Sequence, residues 1–204
     1  MLRKTILHAS ALLCLVSLAA TAFGQTDSSE AKTGAEVELR KPRVWAISGE
    51  IGINSLGSLL GPVATWYAKP RLAVDFGAGL STNGLRPGVR ARYLFSLDKT
   101  AYFAGAGLKY ALGSGDREAK VKDPDTNEEL KVKTDGCGFA DLMLGVEYLA
   151  DNGFVVIADA GYSQLLGGVN YHVTGGTPSA KADKAFKTIF GSGIMLSVSL
   201  GKAF

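Results

Sequence analysis

From Val44 onward, apolar and polar residues alternate with a period of two, in short runs separated by turn chemistry. The last run shows it plainly. Ile194, Leu196, Val198 and Leu200 fall on one side of "IMLSVSLGKAF", and Ser197, Ser199 and Gly201 fall on the other. Successive side chains of a strand point to opposite faces, so the run predicts a strand with one apolar and one small or polar side. Earlier segments repeat the pattern. Trp45, Ile47, Ile51 and Ile53 oppose Ser48, Glu50 and Asn54 in "WAISGEIGIN", and "PVATWYAK" follows. Leu72, Val74, Phe76 and Leu80 oppose Asp75, Gly77 and Gly79, while Val89, Ala91, Tyr93 and Phe95 oppose Arg90 and Arg92. Tyr102, Leu108 and Tyr110 oppose Gly105, Gly107 and Lys109. Leu142, Leu144, Val146 and Tyr148 oppose Asp141, Gly145 and Glu147, and Phe154, Val156 and Tyr162 oppose Asp159, Gly161 and Ser163.

Eight alternating segments of about 8–11 residues with turns between them are the pattern of a transmembrane β-barrel. A soluble sandwich or lipocalin-type barrel produces the same alternation with the apolar faces turned inward. Three features separate the two. The connections "AKPR", "SLDKT" and "ADNG" are tight, whereas 112–138 and 166–188 are long; outer-membrane barrels pair short periplasmic turns with longer external loops. Aromatic residues gather at the tight-turn end: Trp45, Trp66 or Tyr67, Phe95, Tyr102, Tyr148, Phe154 and Phe204. A belt at one height suits amphipathic rings at a lipid–water boundary. The polar faces, finally, carry Glu50, Asp75, Asp141, Glu147 and Asp159 together with Arg90, Arg92 and Lys109. Such a lining is poor for apolar ligands and suits a narrow polar lumen.

Eight strands enclose just enough space for side chains to fill. The lumen charges are therefore expected to pair into a plug rather than to line an open path. Five acids against three bases leave two carboxylates to be solvated, with Asp141 nearest the outer rim.

The amino terminus supplies a compartment. Arg3 and Lys4 precede an apolar run from Leu12 to Ala20, and small residues around Ala22 fit a cleavage site. Residues 1–24 read as a secretory signal peptide, too short for a spanning anchor. Residues 25–43 are polar and charged and read as a flexible periplasmic lead-in, which leaves 44–204 for the barrel. With Arg3 and Lys4 gone, 20 of the 22 basic residues face 19 acidic ones, and a net charge of +1 excludes a general nucleic-acid role. The mature chain keeps one cysteine, Cys137, so it has no internal disulfide.

The long loops hold the remaining chemistry. "KVKDPDTNEELKVK" is near-symmetric about Asp123-Pro124-Asp125 and predicts a projecting hairpin, its Lys–Val alternation keeping the ribbon soluble. Asp123, Asp125 and Asn127 open like a calcium loop, but Glu128 stands where glycine is needed and Thr134 where the bidentate Glu belongs. No metal or cofactor site is expected. In the last loop "AKADKAF" is short enough for a helical turn or two, and no convincing amphipathic helix is expected. His172 is the one histidine beyond the leader, and hydrolytic chemistry would require Ser163 or Ser179 to reach it. No catalytic residue is therefore assigned.

Over 44–204 the strand rhythm, the loop asymmetry and the terminal Phe resemble the small eight-stranded bacterial outer-membrane barrels typified by outer membrane proteins A and X. The resemblance implies an all-β, antiparallel, up-and-down transmembrane barrel in the cell outer membrane. It implies that Leu196, Val198, Leu200 and Phe204 form the signal read by the outer-membrane assembly machinery, with Lys202 departing from the usual aromatic. The expected partners are outer-membrane lipid, lipopolysaccharide, the assembly machinery and an external protein met by the loops. The expected function is structural or surface-interacting. The alternatives are a narrow channel for small solutes, a periplasmic lipid-binding barrel and a lipid A-modifying enzyme.

Overall fold

A computed structural model describes residues 39–204, so the expected leader and most of the expected lead-in lie outside the described residues. The alternating runs become strands β1 (Trp45–Ile53), β2 (Leu60–Lys69), β3 (Leu72–Ser81), β4 (Gly84–Leu94) and β5 (Thr100–Ala111). Then come β6 (Ala119–Lys122), β7 (Glu129–Thr134), β8 (Cys137–Leu149), β9 (Phe154–Leu166), β10 (Tyr171–Gly175), helix α1 (Ala180–Phe190) and β11 (Gly193–Ala203). Eight strands close a barrel in the order β1-β11-β9-β8-β5-β4-β3-β2, every pair antiparallel. Closure joins the first and last strands. Their register runs from Ala46↔Ala203 to Ile53↔Leu196, and the Phe204 amide donates to the Trp45 carbonyl at 2.8 Å. A closed ladder leaves no unpaired edge, which is what a hydrocarbon surrounding demands of a sheet.

The alternation resolves with the apolar face outward. Ile194 is 69% exposed and Leu144 65%, whereas Arg92 on the opposite face is fully buried. Leu196, Val198 and Leu200 also point out. The chain is an eight-stranded up-and-down antiparallel barrel with its apolar face outward, the arrangement of a transmembrane barrel.

Two groups of residues lie inside the barrel besides its charges. At the turn end the interior is apolar, built from Leu94, Phe103, Met143, Leu149, Val155 and Ile157. Tyr67 joins them, and its neighbour Trp66 faces outward, which settles which of the two belongs to the outer aromatic set. At the loop end the β1–β2 connection folds inward and buries Ser55, Leu56 and Ser58. Gly79 is required there: a Cβ on it would lie 1.8 Å from the Gly57 carbonyl oxygen.

Beyond the loop end stands a second folded unit. Strands β10, β7 and β6 form a three-stranded sheet, and α1 packs against it. Leu130, Val132, Tyr171, Ala182, Phe186 and Phe190 make its core. The hairpin at 119–134 is thus one wall of a cap, and Val132 is buried rather than displayed on an exposed ribbon. The helix runs 11 residues, longer than the turn or two expected. The Ser179 hydroxyl caps it by accepting from the Ala182 amide at 3.2 Å. Ala182, Phe186 and Phe190 recur every four residues and are all buried, so burial carries the helix through "TIF", residues of only middling helix propensity.

Candidate functional site

The lumen gathers the eight charged residues read from the sequence, all of them buried. Asp75 sits at the centre. One of its oxygens, Oδ2, accepts from Arg90 Nε at 2.5 Å and Arg92 Nε at 2.7 Å; the other accepts from Arg92 Nη2 at 2.9 Å and the Thr65 hydroxyl at 2.7 Å. Arg90 reaches two more acids, Glu50 at 2.8 Å and Asp159 at 3.3 Å. Its contact with Glu50 is an ion pair without hydrogen-bond alignment. Glu50 is held by the Gly57 amide at 2.6 Å and the Ser199 hydroxyl at 3.0 Å, and Asp159 by the Ser197 hydroxyl at 2.7 Å. Arg92 continues to Glu147 at 2.6 Å and lies over the Phe103 ring. Lys109 pairs with Asp141 at 2.9 Å and donates to the Asn54 carbonyl.

Two cations that the alternation did not single out complete the set. Arg40, inside the expected lead-in, donates to Glu147 at 2.5 Å, and its amide bonds the Leu97 carbonyl at 3.0 Å. Leu39 bridges Asp98, so the lead-in is docked on the barrel from residue 39 onward. Arg86, on β4, is also buried. With them the lumen holds Arg40, Arg86, Arg90, Arg92 and Lys109 against Glu50, Asp75, Asp141, Glu147 and Asp159, five and five. The expected acid excess is therefore absent. Asp141 is not solvated at the rim either: it is 3% exposed and paired with Lys109. Arg40 escaped notice because it precedes the first strand. Arg86 did because Asn83, Gly84 and Pro87 make the stretch around it read as a turn, although β4 already alternates from Leu85.

Such an arrangement rigidifies the interior. The Arg90 and Arg92 guanidinium forks each meet carboxylates in two directions, and charge-assisted hydrogen bonds satisfy most of the buried oxygens.

On the outside, Trp45, Trp66, Phe95, Tyr102, Tyr148 and Phe154 lie exposed near the turn end, and Trp45 stacks on Trp66 with ring centroids 6.3 Å apart. Phe204 is exposed on the same end.

In the cap, Asp123 is spent on structure. Its carboxylate accepts from the amides of Ser179 at 2.8 Å, Asp125 at 2.8 Å and Thr126 at 3.2 Å, which ties the hairpin turn to the start of α1. Those N–H groups, Ser179 foremost, hold its carboxyl down to about 2. Tyr171 is edge-on to Phe186 and donates to Asp183 at 2.8 Å; burial, then that bond, pushes its hydroxyl up to about 12. His172 finds a carboxylate the sequence did not nominate, Asp135, at 2.5 Å. Of the two serines weighed as nucleophiles, Ser163 is buried inside the barrel with its hydroxyl unpartnered among the described residues, and Ser179 caps α1. Cys137, the first residue of β8, is buried and accepts from the Asn170 amide at 3.1 Å.

No protein-family model matches the chain, and no curated sequence matches it. Among solved structures it is similar to the N-terminal β-barrel domain of Pseudomonas aeruginosa OprF, with a TM-score of 0.47 and 13% identity over 78% of this chain and 96% of that one. It is also similar to Acinetobacter baumannii CarO, with a TM-score of 0.35 and 13% identity over 80% of this chain and 98% of that one. Both likenesses are distant, and the fold rests on the strand order and the outward apolar face described above.

Proposed function

We propose that this OmpA-like barrel is a non-enzymatic resident of the outer membrane, with a closed lumen and a folded external cap that meets partners outside the cell. The observation that carries the closed lumen is the Arg90–Asp75–Arg92 cluster with its flanking acids, buried midway between an apolar turn end and the inward β1–β2 connection. In this reading residues 1–24 are removed on export, the turn end faces the periplasm and the exposed aromatic residues there lie at the inner lipid boundary. Leu196, Val198, Leu200 and Phe204 present the strand read by the assembly machinery. Lipid and lipopolysaccharide surround the barrel, and the cap, with its lysines outward, contacts lipopolysaccharide or an external protein. The burial of Ser163 inside the barrel and the capping role of Ser179 support a role without catalysis.

Planar-bilayer recording tests the closed lumen. The refolded native chain is expected to give no reproducible step conductance. Stepwise conductance in the native chain, altered by Arg90→Ala or Arg92→Ala, would replace this reading with that of a narrow solute channel.

A further inference from the structure

Arg86 has no use in the plug. The residue is 2% exposed, yet its Nε is buried without a hydrogen-bond partner, and no ion pair joins it to a carboxylate among the described residues. The group lies over the Phe139 ring, 4.5 Å from the centroid. A buried guanidinium N–H without an acceptor is costly. The neighbouring lumen cation, Lys109, already has its carboxylate, Asp141 at 2.9 Å.

Arg86 borders a cavity of about 260 Å³ between the β1–β2 connection, the β3–β4 turn and α1. Ser58, Ser81, Thr82 and Thr188 line it with hydroxyls, and no acidic residue lines it. The Ser58 hydroxyl is buried without a partner; so is the side-chain amide nitrogen of Asn83, in the adjoining turn. Unused donors, one of them on a guanidinium, with no lining acid describe a place for an acceptor with several oxygens. The volume suits a single small group and excludes a nucleotide or a sugar chain. Ile53, Leu59 and Ile189 also line it, and they are exposed on its outer side, so an oxyanion bearing an apolar tail fits as well as a free one.

We infer that the loop-end mouth is a binding site for an oxyanion of the phosphate class, free or at the head of a lipid, with Arg86 as its charged anchor and Ser58 as a hydroxyl donor. The site is independent of whether the lumen conducts.

The test uses the full chain refolded in detergent and titrated calorimetrically with inorganic phosphate against chloride at fixed ionic strength. A second arm uses neutral micelles doped with phosphatidic acid or with lipid A. Saturable binding is expected in at least one arm; binding of inorganic phosphate marks a free-anion site, and binding in the lipid arm alone marks a headgroup site. Arg86→Gln is expected to weaken binding about ten- to a hundred-fold, the value of one or two hydrogen bonds to a charged group. Thr188→Trp, an exposed rim position that touches none of the buried ion pairs, is expected to abolish binding by filling the cavity. Where Arg86→Gln fails to recover the heat-modifiable folded band, Thr188→Trp decides. Absence of saturable binding in both arms overturns the proposal, as does undiminished binding by either folded variant. Tighter acetate than phosphate binding overturns the phosphate class.

Discussion

The barrel and its cap are built from the same twenty kinds of residue with opposite polarity. Inside the barrel sit Arg90, Arg92, Asp75 and Glu147, and outside it Leu144, Ile194 and Leu200. In the cap Phe186, Phe190 and Leu130 are inside, while Lys120, Lys131 and Glu129 are outside. The cap follows the ordinary rule, in which burial of apolar surface from water drives folding. The barrel reverses it because its surroundings are already apolar. Moving Leu144 inward would gain nothing there, and the charges are kept where they can satisfy one another. Which face is the core is a statement about the solvent, not about the sheet.

The largest effect is expected where the barrel's interior loses one partner of its network. Arg92→Leu leaves Asp75 and Glu147 without their shared cation, and breaking a buried pair from one side costs about 3–5 kcal/mol. The folded barrel should lose that much against urea, read by the heat-modifiable gel shift. Arg92→Lys should recover only part, because one ammonium cannot reproduce three fork contacts, at 2.7, 2.9 and 2.6 Å. Unchanged stability in Arg92→Leu would mean that water, not protein, fills the centre.

A paired substitution sharpens the contrast in solvent. Leu144→Arg places a charge on the outer face of β8, where a lipid-facing arginine costs about 2–4 kcal/mol. Val121→Arg, on the exposed β6 strand of the cap, is expected to stay within about 0.5 kcal/mol. Equal tolerance at the two positions, measured by yield of folded barrel in vesicles, would show that both face water.

Much of the barrel was legible because alternation is local. The residues facing in and out along β1, β5, β8, β9 and β11 follow from a period of two, and so do the eight charges that meet in the lumen. What sequence missed depends on contacts distant along the chain. Arg40 meets Glu147 across 107 positions, and no spacing rule reaches that far. Arg86 is masked by the turn residues around it, Asn83, Gly84 and Pro87. The helix needed Tyr171 and Leu130 as partners, which only the β7–β10 pairing supplies. The inward β1–β2 connection rests on Gly79, whose missing side chain makes room, and an absence leaves no pattern to read.

The smallest effect concerns how separately the two units open. Asp123 has its folded value held down to about 2, against an ordinary value of about 4. Its contribution to the cap is therefore complete above pH ~4 and is lost as pH falls toward about 2. Tyr171 is shifted the other way, up to about 12 from about 10. The stability it lends is complete below pH ~10 and disappears as pH rises to about 12. The cap should thus loosen at both extremes, seen as protease cleavage within 112–136 and 167–192 while the barrel keeps its folded mobility. Tyr171→Phe keeps the ring on Phe186 and Phe190 but has no proton to lose, so the alkaline limb alone should vanish. Asp123→Asn removes the carboxylate that ties the turn to α1, so cleavage should already be raised at pH 7 and should gain little more in acid. If cap and barrel instead open together at either extreme, the two regions form one cooperative unit and their opposite cores stabilise each other.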